Sequence, residues 1–357
     1  MMQSGVIVRD GAVVVPPLSR ETVNQTGVLV NGAPDPAAIT YRGGHTAHDN
    51  PPDIAAQEHL PGSWLWAGPL YWHFGHFLTE SITRLWAYDA VRQNLDGVIF
   101  TPKRYGAGAE ILPWQAEFLE MAGIGLPTRV LTRATAVERL IIPAQGFGTG
   151  KMIGGTGAFR HFVQTRFAKD IPANGPERLY LSRSKFGPRK GGLLGEVGIE
   201  SHLAAEGYEI FHPQNHTLQK QIAMLKAARR IIGADGSAFH LAGLVARRDV
   251  RAAMVMRRNA ITPMHLIGQF EALRGAKLHA INAIRQDWTP NGAPPDRLSY
   301  AELDFAVLSR ALRRLGLIDR EGWAEPTPES VTRRIRQLSR RRGVSLMPVR
   351  PEPRITF

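Results

Sequence analysis

Residues 177–241 read ERLYLSRSKFGPRKGGLLGEVGIESHLAAEGYEIFHPQNHTLQKQIAMLKAARRIIGADGSAFHL, and the fold is decided there. Residues 178–183 form a short apolar strand that runs into a loop carrying Ser182, Arg183, Lys185, Arg189 and Lys190 among glycines. A helical pattern over 194–206 stops at Gly207, and 208–212 is a second strand. Thr217 is placed to cap the next helix, which runs to about residue 228. A third strand over 229–233 precedes Asp235, Gly236 and Ser237, which open another helix; strands over 252–257 and 277–281 follow. Strand and helix alternate throughout, so the sheet is expected to be parallel and doubly wound. Ligands of such sheets sit at the carboxyl ends of the strands, where the basic loop and the Asp235-Gly236-Ser237 turn both lie.

That placement favours an anion. A helix start offers unpaired N–H groups and partial positive charge, and Gly236 lets an anion approach the backbone closely. Arg183 and Arg189 add forked donors that match phosphate oxygens. Each feature alone also fits a solvated basic loop or a tight turn. Their meeting at equivalent strand ends is what points to phosphate.

Upstream, residues 63–70 form an apolar strand containing Trp64 and Trp66, which leads into the run HFGHFLTESITRLW over 73–86. On a helix, Phe74, Leu78, Ser81, Ile82, Leu85 and Asp89 share one side, and His73, His76, Glu80 and Arg84 gather on a polar stripe. Such a stripe can supply a general base and an anion clamp, or simply an ion-paired exposed face. The His-Glu-x-x-His order of metalloproteases is absent, which argues against zinc on His73, His76 and Glu80. His45 and His48 lie in a Pro/Gly-rich segment without a carboxylate pattern and read as surface-loop residues.

In its order of motifs the sequence resembles glycosyltransferase family 61, the group of capsular-polysaccharide-biosynthesis-like proteins. The resemblance rests on Tyr180-Leu181-Ser182-Arg183, a Glu near Glu196, Gly207-Tyr208-Glu209, Gln221, the Gly233-x-x-Gly236-Ser237-Ala238 turn and, independently, the 73–86 run. Two positions depart from the family pattern: Asp235 stands where many members carry His, and His73 replaces the usual Asn.

The resemblance implies an α/β fold of GT-B type, with two Rossmann-like domains facing across a cleft and a C-terminal helical tail. The expected division is an acceptor-side domain over 1–150, a nucleotide-sugar-binding domain over 151–290, and a basic tail over 291–357 that packs back on the first domain. It implies an inverting glycosyltransferase that moves a hexose or pentose from a nucleotide sugar to a glycan or lipid-linked glycan in surface or capsular polysaccharide synthesis. Arg183, Arg189, Lys190, Gln221, Asp235, Gly236, Ser237 and Ala238 are the donor-binding candidates. His76 or Glu80 is the candidate base, with Arg84 orienting the carboxylate and His73 on the acceptor side. A carboxylate in a closing cleft is expected to have a raised pKa. With no Asp-x-Asp motif, neither metal nor other cofactor is expected.

Composition sets limits around this reading. A chain of 357 residues can bury the cores of two domains, and the absence of cysteine rules out disulfides and thiolate zinc sites. No signal peptide or membrane span is evident, which suggests the cytoplasm. The net charge of +13 favours anionic partners. Arg333, Arg334, Arg336, Arg340, Arg341 and Arg342 crowd one helix of the tail, either as a solvated face or as a contact with an anionic membrane. The same charge fits a nucleic-acid-binding protein, but no helix-turn-helix, zinc finger or aromatic-rich RNA-binding strand is present. A catalytically inactive nucleotide-sugar-binding relative is the other alternative.

Three smaller expectations complete the reading. Residues 5–15 suggest a hairpin turning at Asp10-Gly11. Residues 146–151 resemble a P-loop but have Gln145 where the first Gly is needed and Met152 in place of Ser or Thr, so the segment reads as a glycine-rich link between domains. Residues 287–297 read as irregular, followed by amphipathic helices over 301–315 and 328–341.

Overall fold

The computed structural model describes residues 5–21, 25–106, 108–261 and 263–349. The chain divides into two compact units, Met1–Asp170 and Ile171–Phe357.

The first unit is built on a seven-stranded mixed sheet. Its order is Ala33–Pro34, Gly27–Val30, Val6–Val15, Thr135–Pro143, Glu58–Leu70, Gly97–Pro102 and Thr128–Val130. The last four run parallel, and the first three are joined antiparallel. The expected hairpin at Asp10-Gly11 does not form. Val6–Val15 is one continuous strand, with Val6 to Val14 paired to Pro143 to Thr135. Pairing along its whole length with the Thr135–Pro143 strand outweighs the local turn signal.

Residues 73–91 are not one amphipathic helix. They form a short turn Phe74–His76, a π-helical turn Phe77–Ser81, a 3-10 turn Leu85–Ala87 and a last turn Tyr88–Val91. Residues 77–88 are all buried, so apolar side chains are needed on every side and a single stripe cannot serve. The glycine-rich segment lies inside this unit: Phe147 is fully buried and stacks on Phe159 at 4.6 Å, and the Gly146 N–H donates to the Thr83 carbonyl. The boundary between the units accordingly falls about twenty residues beyond the expected one.

The second unit carries a five-stranded parallel sheet in the order Glu209–Phe211, Arg178–Leu181, Arg230–Ala234, Arg251–Val255, Leu278–Ile281. Numbered along the chain this is 2-1-3-4-5, a doubly wound, Rossmann-like topology whose direction switches between the first and third strands. Thr217 caps the Leu218–Ala227 helix by accepting from the Lys220 N–H, as its sequence position predicts. On one face of the sheet Tyr180, Ile232, Ala253 and Val255 pack with Ile199, Leu203, Leu308 and Leu312. On the other, Gly233 makes room for Phe239 of the Ala238–Val245 helix, where a β-carbon would come within 3.2 Å of its ring.

The tail is more than helical. Ile284–Pro290, Tyr300–Leu303 and Leu346–Val349 join Gly192–Leu193 in a four-stranded sheet, so the stretch read as irregular begins in a strand. The Pro328–Arg342 helix starts at Thr327, which accepts from the Ser330 N–H, while the helix expected over 301–315 starts only at Phe305, after the Tyr300–Leu303 strand, with Asp304 accepting from the Val307 N–H. Their apolar faces are spent within the second unit: Leu308 and Leu312 on the sheet, and Val331, Ile335 and Leu338 against Leu194, Tyr300 and Leu346.

Candidate functional site

In the second unit the switch point gathers three arginines around one buried aspartate. Arg183 lies two residues beyond the strand ending at Leu181, and Gly236 two beyond the strand ending at Ala234. Arg257 and Arg258 follow the neighbouring strand that ends at Val255. Asp235 is 1 % exposed; its Oδ2 accepts from Arg258 Nε at 3.1 Å and lies 3.9 Å from Arg257 Nε. Arg257 also donates to the Asp235 carbonyl at 2.8 Å and to the Arg297 carbonyl at 2.9 Å. Gly191, at φ +63°, is required beside it, since a β-carbon there would meet Arg257 Nη1 at 2.7 Å.

Arg183 lies flat against the Gly236 backbone: a β-carbon on Gly236 would sit 2.8 Å from its Nη1. Its guanidinium stacks 4.6 Å over Phe186 and donates through Nη2 to the Lys190 carbonyl at 3.0 Å, while its buried Nε has no hydrogen-bond partner. Burial lowers the pKa of Arg183, and pushes that of Arg257 down to about 10. One carboxylate among three guanidinium groups leaves a surplus of positive charge beside the positive end of a helix, whose Phe239 and His240 N–H groups donate to the carbonyls of Gly236 and Ser237.

Glu196 braces the basic loop from below. Its Oε1 accepts from the Arg183 N–H at 2.8 Å and from the Tyr180 hydroxyl at 3.1 Å, and burial pushes its pKa up to about 7. Glu200 accepts from the Ser182 and Ser184 hydroxyls at 2.5 and 2.6 Å.

Of the sequence candidates, Arg183, Asp235, Gly236, Ser237 and Ala238 come together here. Arg189 and Lys190 are exposed on the turn Pro188–Lys190, and Lys190 contributes its carbonyl instead of its ammonium group. Gln221 is a brace: its amide donates to the carbonyls of Pro213 and His216, holding the turn before its own helix. Arg257 and Arg258 were missed. Two consecutive arginines just past an apolar strand, Met254-Val255-Met256-Arg257-Arg258, were the available signal.

In the first unit a second cluster occupies the carboxyl ends of Glu58–Leu70 and Gly97–Pro102. Glu80, on the π-helical turn, is 1 % exposed. Its Oε1 accepts from His76 Nδ1 at 2.5 Å, and its Oε2 pairs with Arg42 Nε at 3.1 Å. The buried Tyr71 hydroxyl faces the same carboxylate without a well-formed hydrogen bond. Burial works to raise the Glu80 pKa, but the His76 hydrogen bond and the Arg42 charge outweigh it and hold the carboxyl below its usual range. The expected raised value is thus reversed: Glu80 is a buried anion.

Arg84 does not orient that anion. It is fully buried and donates to the carbonyls of Ala37, Ile39 and Pro143, tying the sheet to the turn beside it, and Arg42 takes the place at the carboxylate. His76 stacks on Tyr71 with ring centroids 5.5 Å apart, and the exposed His73 meets His76 edge-on at 6.1 Å.

His48 corrects the surface-loop reading. It is 2 % exposed, and burial drives its pKa down to about 3. Lys103 Nζ can only donate, so at 3.3 Å it fixes His48 Nε2 as an acceptor, and Nδ1–H donates to the Thr26 hydroxyl. His45 stays exposed. Among the described residues no group of three or more His, Asp and Glu side chains is arranged to hold a metal ion.

The two clusters present an anion site at a strand switch point and a carboxylate–histidine pair at strand ends. No curated protein matches the sequence. Residues 74–250 match the Glycosyltransferase 61 family, a span that holds His76, Glu80, Arg183, Glu196, Asp235 and Gly236 and stops short of Arg257. The chain therefore belongs to the glycosyltransferase 61 family, which implies glycosyltransferase activity.

Proposed function

We propose that the chain is an inverting transferase that binds a nucleotide sugar in its second unit and passes the sugar to a glycan hydroxyl held by its first, the two units serving as the halves of a GT-B enzyme. The observation that carries this reading is the convergence of Arg183, Arg257 and Arg258 on the Asp235-Gly236 turn, where a helix begins. A diphosphate laid there meets forked donors and the positive end of a helix in one place. That surplus of fixed positive charge stabilises the departing nucleotide without calling on a metal.

The chemistry needs one base. Glu80 is buried and held below its usual range, which makes it a weak base, whereas the His76 side chain is 43 % exposed with its Nδ1 already donating to Glu80. His76 Nε2 is thereby left to take the proton of the acceptor hydroxyl, with Glu80 fixing the tautomer and holding the imidazolium that forms. As the acceptor oxygen bonds to the anomeric carbon, the carbon–phosphate-oxygen bond breaks and its electron pair leaves with the nucleotide, which inverts the centre.

A surface or capsular polysaccharide is the setting this reading suggests, at the cytoplasmic face of a membrane. No helix among the described residues is long and apolar enough to cross one. Arg333, Arg336 and Arg340 are exposed on the Pro328–Arg342 helix, opposite its buried Val331, Ile335 and Leu338, and suit anionic headgroups.

The test is a thermal-shift panel of UDP, GDP, CMP and dTDP with their common sugars, with and without EDTA. A site filled well above its Kd stabilises the protein by a few kcal/mol. A shift with one nucleotide class that survives EDTA is expected. No shift with any nucleotide, beside a shift with oligonucleotides, would replace this reading with nucleic-acid binding.

A further inference from the structure

The first-unit cluster carries more positive charge than its one carboxylate uses. Arg42 pairs with Glu80, but Lys103, half-buried at the end of the Gly97–Pro102 strand, makes no ion pair among the described residues. Its ammonium lies over the Tyr71 ring, 5.6 Å from the centroid, and has one neutral acceptor, His48 Nε2, for its three donors. Burial first, then the Arg42 charge, bring its pKa down to about 8, with Arg104 adding to the effect and the Glu80 carboxylate only partly offsetting it. The Tyr71 hydroxyl, in a residue only 5 % exposed, faces the Glu80 carboxylate without a well-formed hydrogen bond.

Exposed aromatic residues neighbour this cluster along the chain. Among the described residues the exposed Trp, Tyr and Phe side chains are Tyr41, Trp72 and Tyr105. Each is the chain neighbour of a cluster residue: Tyr41 precedes Arg42, Trp72 follows Tyr71, and Tyr105 follows Arg104. Exposed rings offer flat apolar surface to the C–H face of a sugar, while unpaired cations beside them select for charge.

We propose that the acceptor is an acidic glycan, with a carboxylate or phosphate on a sugar next to the hydroxyl that is glycosylated, and that Lys103 and Arg104 bind this group while Trp72 and Tyr105 carry the ring. The proposal rests on the assignment of the first unit to the acceptor. It adds a substrate class, and it supplies the direct ion pair that the half-buried Lys103 lacks among the described residues.

The experiment is calorimetric titration of the full chain with oligogalacturonate, with oligoglucuronate, with the methyl esters of both, which keep the skeleton and remove the charge, and with a phosphorylated oligosaccharide. At least tenfold tighter binding of an acidic oligomer than of its ester is expected, from one charge-assisted hydrogen bond. That preference should collapse in Lys103→Met and shrink in the exposed Arg104→Ser, which carries the test if Lys103→Met fails to fold. Preference for the phosphorylated ligand alone supports the proposal and names phosphate as the group. Where the phosphorylated ligand is not preferred either, equal binding of acid and ester or binding of neither overturns it, as does an acidic preference that survives both substitutions. UDP, GDP, CMP and dTDP titrated into the same samples separate the two levels: nucleotide binding without acidic preference sinks this proposal alone, and loss of both sinks the transferase reading.

Discussion

Gly236→Ala adds one carbon at the most crowded point of the anion site. The backbone tolerates it, because Gly236 is not among the residues of positive φ. The new β-carbon would stand 2.8 Å from Arg183 Nη1, so the guanidinium must move by several tenths of an ångström at least. It cannot slide freely: Phe186 lies 4.6 Å beneath it, and its Nη2 is bonded to the Lys190 carbonyl at 3.0 Å. The substitution thus acts as a steric lever on Arg183 with little cost to stability. Displacing one charged hydrogen bond from a phosphate removes about 1.5–3 kcal/mol, or roughly a ten- to hundredfold loss of nucleotide affinity. Calorimetry with the nucleotide that gives the largest thermal shift reads this directly. Arg183→Ala should weaken binding at least as much, and Gly236→Ala should add little in that background, since both act through one side chain. Unchanged affinity in Gly236→Ala, or an undiminished effect on top of Arg183→Ala, would refute the placement of the diphosphate.

The remaining predictions address the rest of both units. His76→Ala should lower kcat by about 10²–10⁴-fold and Glu80→Gln by a similar amount, with a double mutant no worse than either single and nucleotide-induced stabilisation intact; an active His76→Ala beside an inactive Glu80→Gln would exchange their roles. Glu196 titrates from an ordinary 4.5 up to about 7 on folding, so the folded state holds the proton more tightly; stability should fall by about 3 kcal/mol as pH rises from 4.5 through 7. Glu196→Gln, measured by urea denaturation at pH 5 and pH 8, should flatten that slope, and an unchanged slope would assign it elsewhere. Arg84→Met should destabilise the first unit by about 3 kcal/mol by stranding buried carbonyls; a variant that melts like the wild type but is inactive would restore Arg84 to the chemistry. Replacing Arg333, Arg336 and Arg340 with serine should abolish co-sedimentation with phosphatidylserine vesicles while leaving the melting temperature alone, and retained sedimentation would move the contact to another surface.

The alternation of strand and helix in residues 177–281 was legible because parallel strands are buried on both faces and the helices between them carry their own caps; Thr217 and Thr327 act where the sequence put them. Arg183 and Gly236 were legible for the same reason, as polar or flexible residues at strand ends. The same rule, applied to every parallel strand, would have reached Lys103 and Arg257-Arg258 as well. Arg42 was not reachable that way. It meets Glu80 from a two-stranded hairpin distant in sequence, and only tertiary packing decides that it, and not Arg84, faces the carboxylate. The periodicity of residues 73–91 misled for a related reason: residues 77–88 are buried all round, so a stripe running from the exposed His73 and part-exposed His76 to Glu80 and Arg84 was read as one surface when Arg84 was pointing into the core. Gln221 and Lys190 show the limit of motif transfer, since a residue in the right place on the chain can serve the backbone instead of the ligand.

The order of the five parallel strands also governs when the anion site comes into being. Leu181 is paired with Gly233, and Ala234 with Val255, across long stretches of intervening chain. None of Arg183, Gly236 and Arg257 can approach another until the first, third and fourth strands have closed those loops, which are slow, entropically costly steps. The site is therefore a late product of assembly. A nucleotide has nothing to grip on a nascent or half-folded chain, and its stabilisation falls on the unfolding rate, prolonging the life of finished molecules without helping new ones to form.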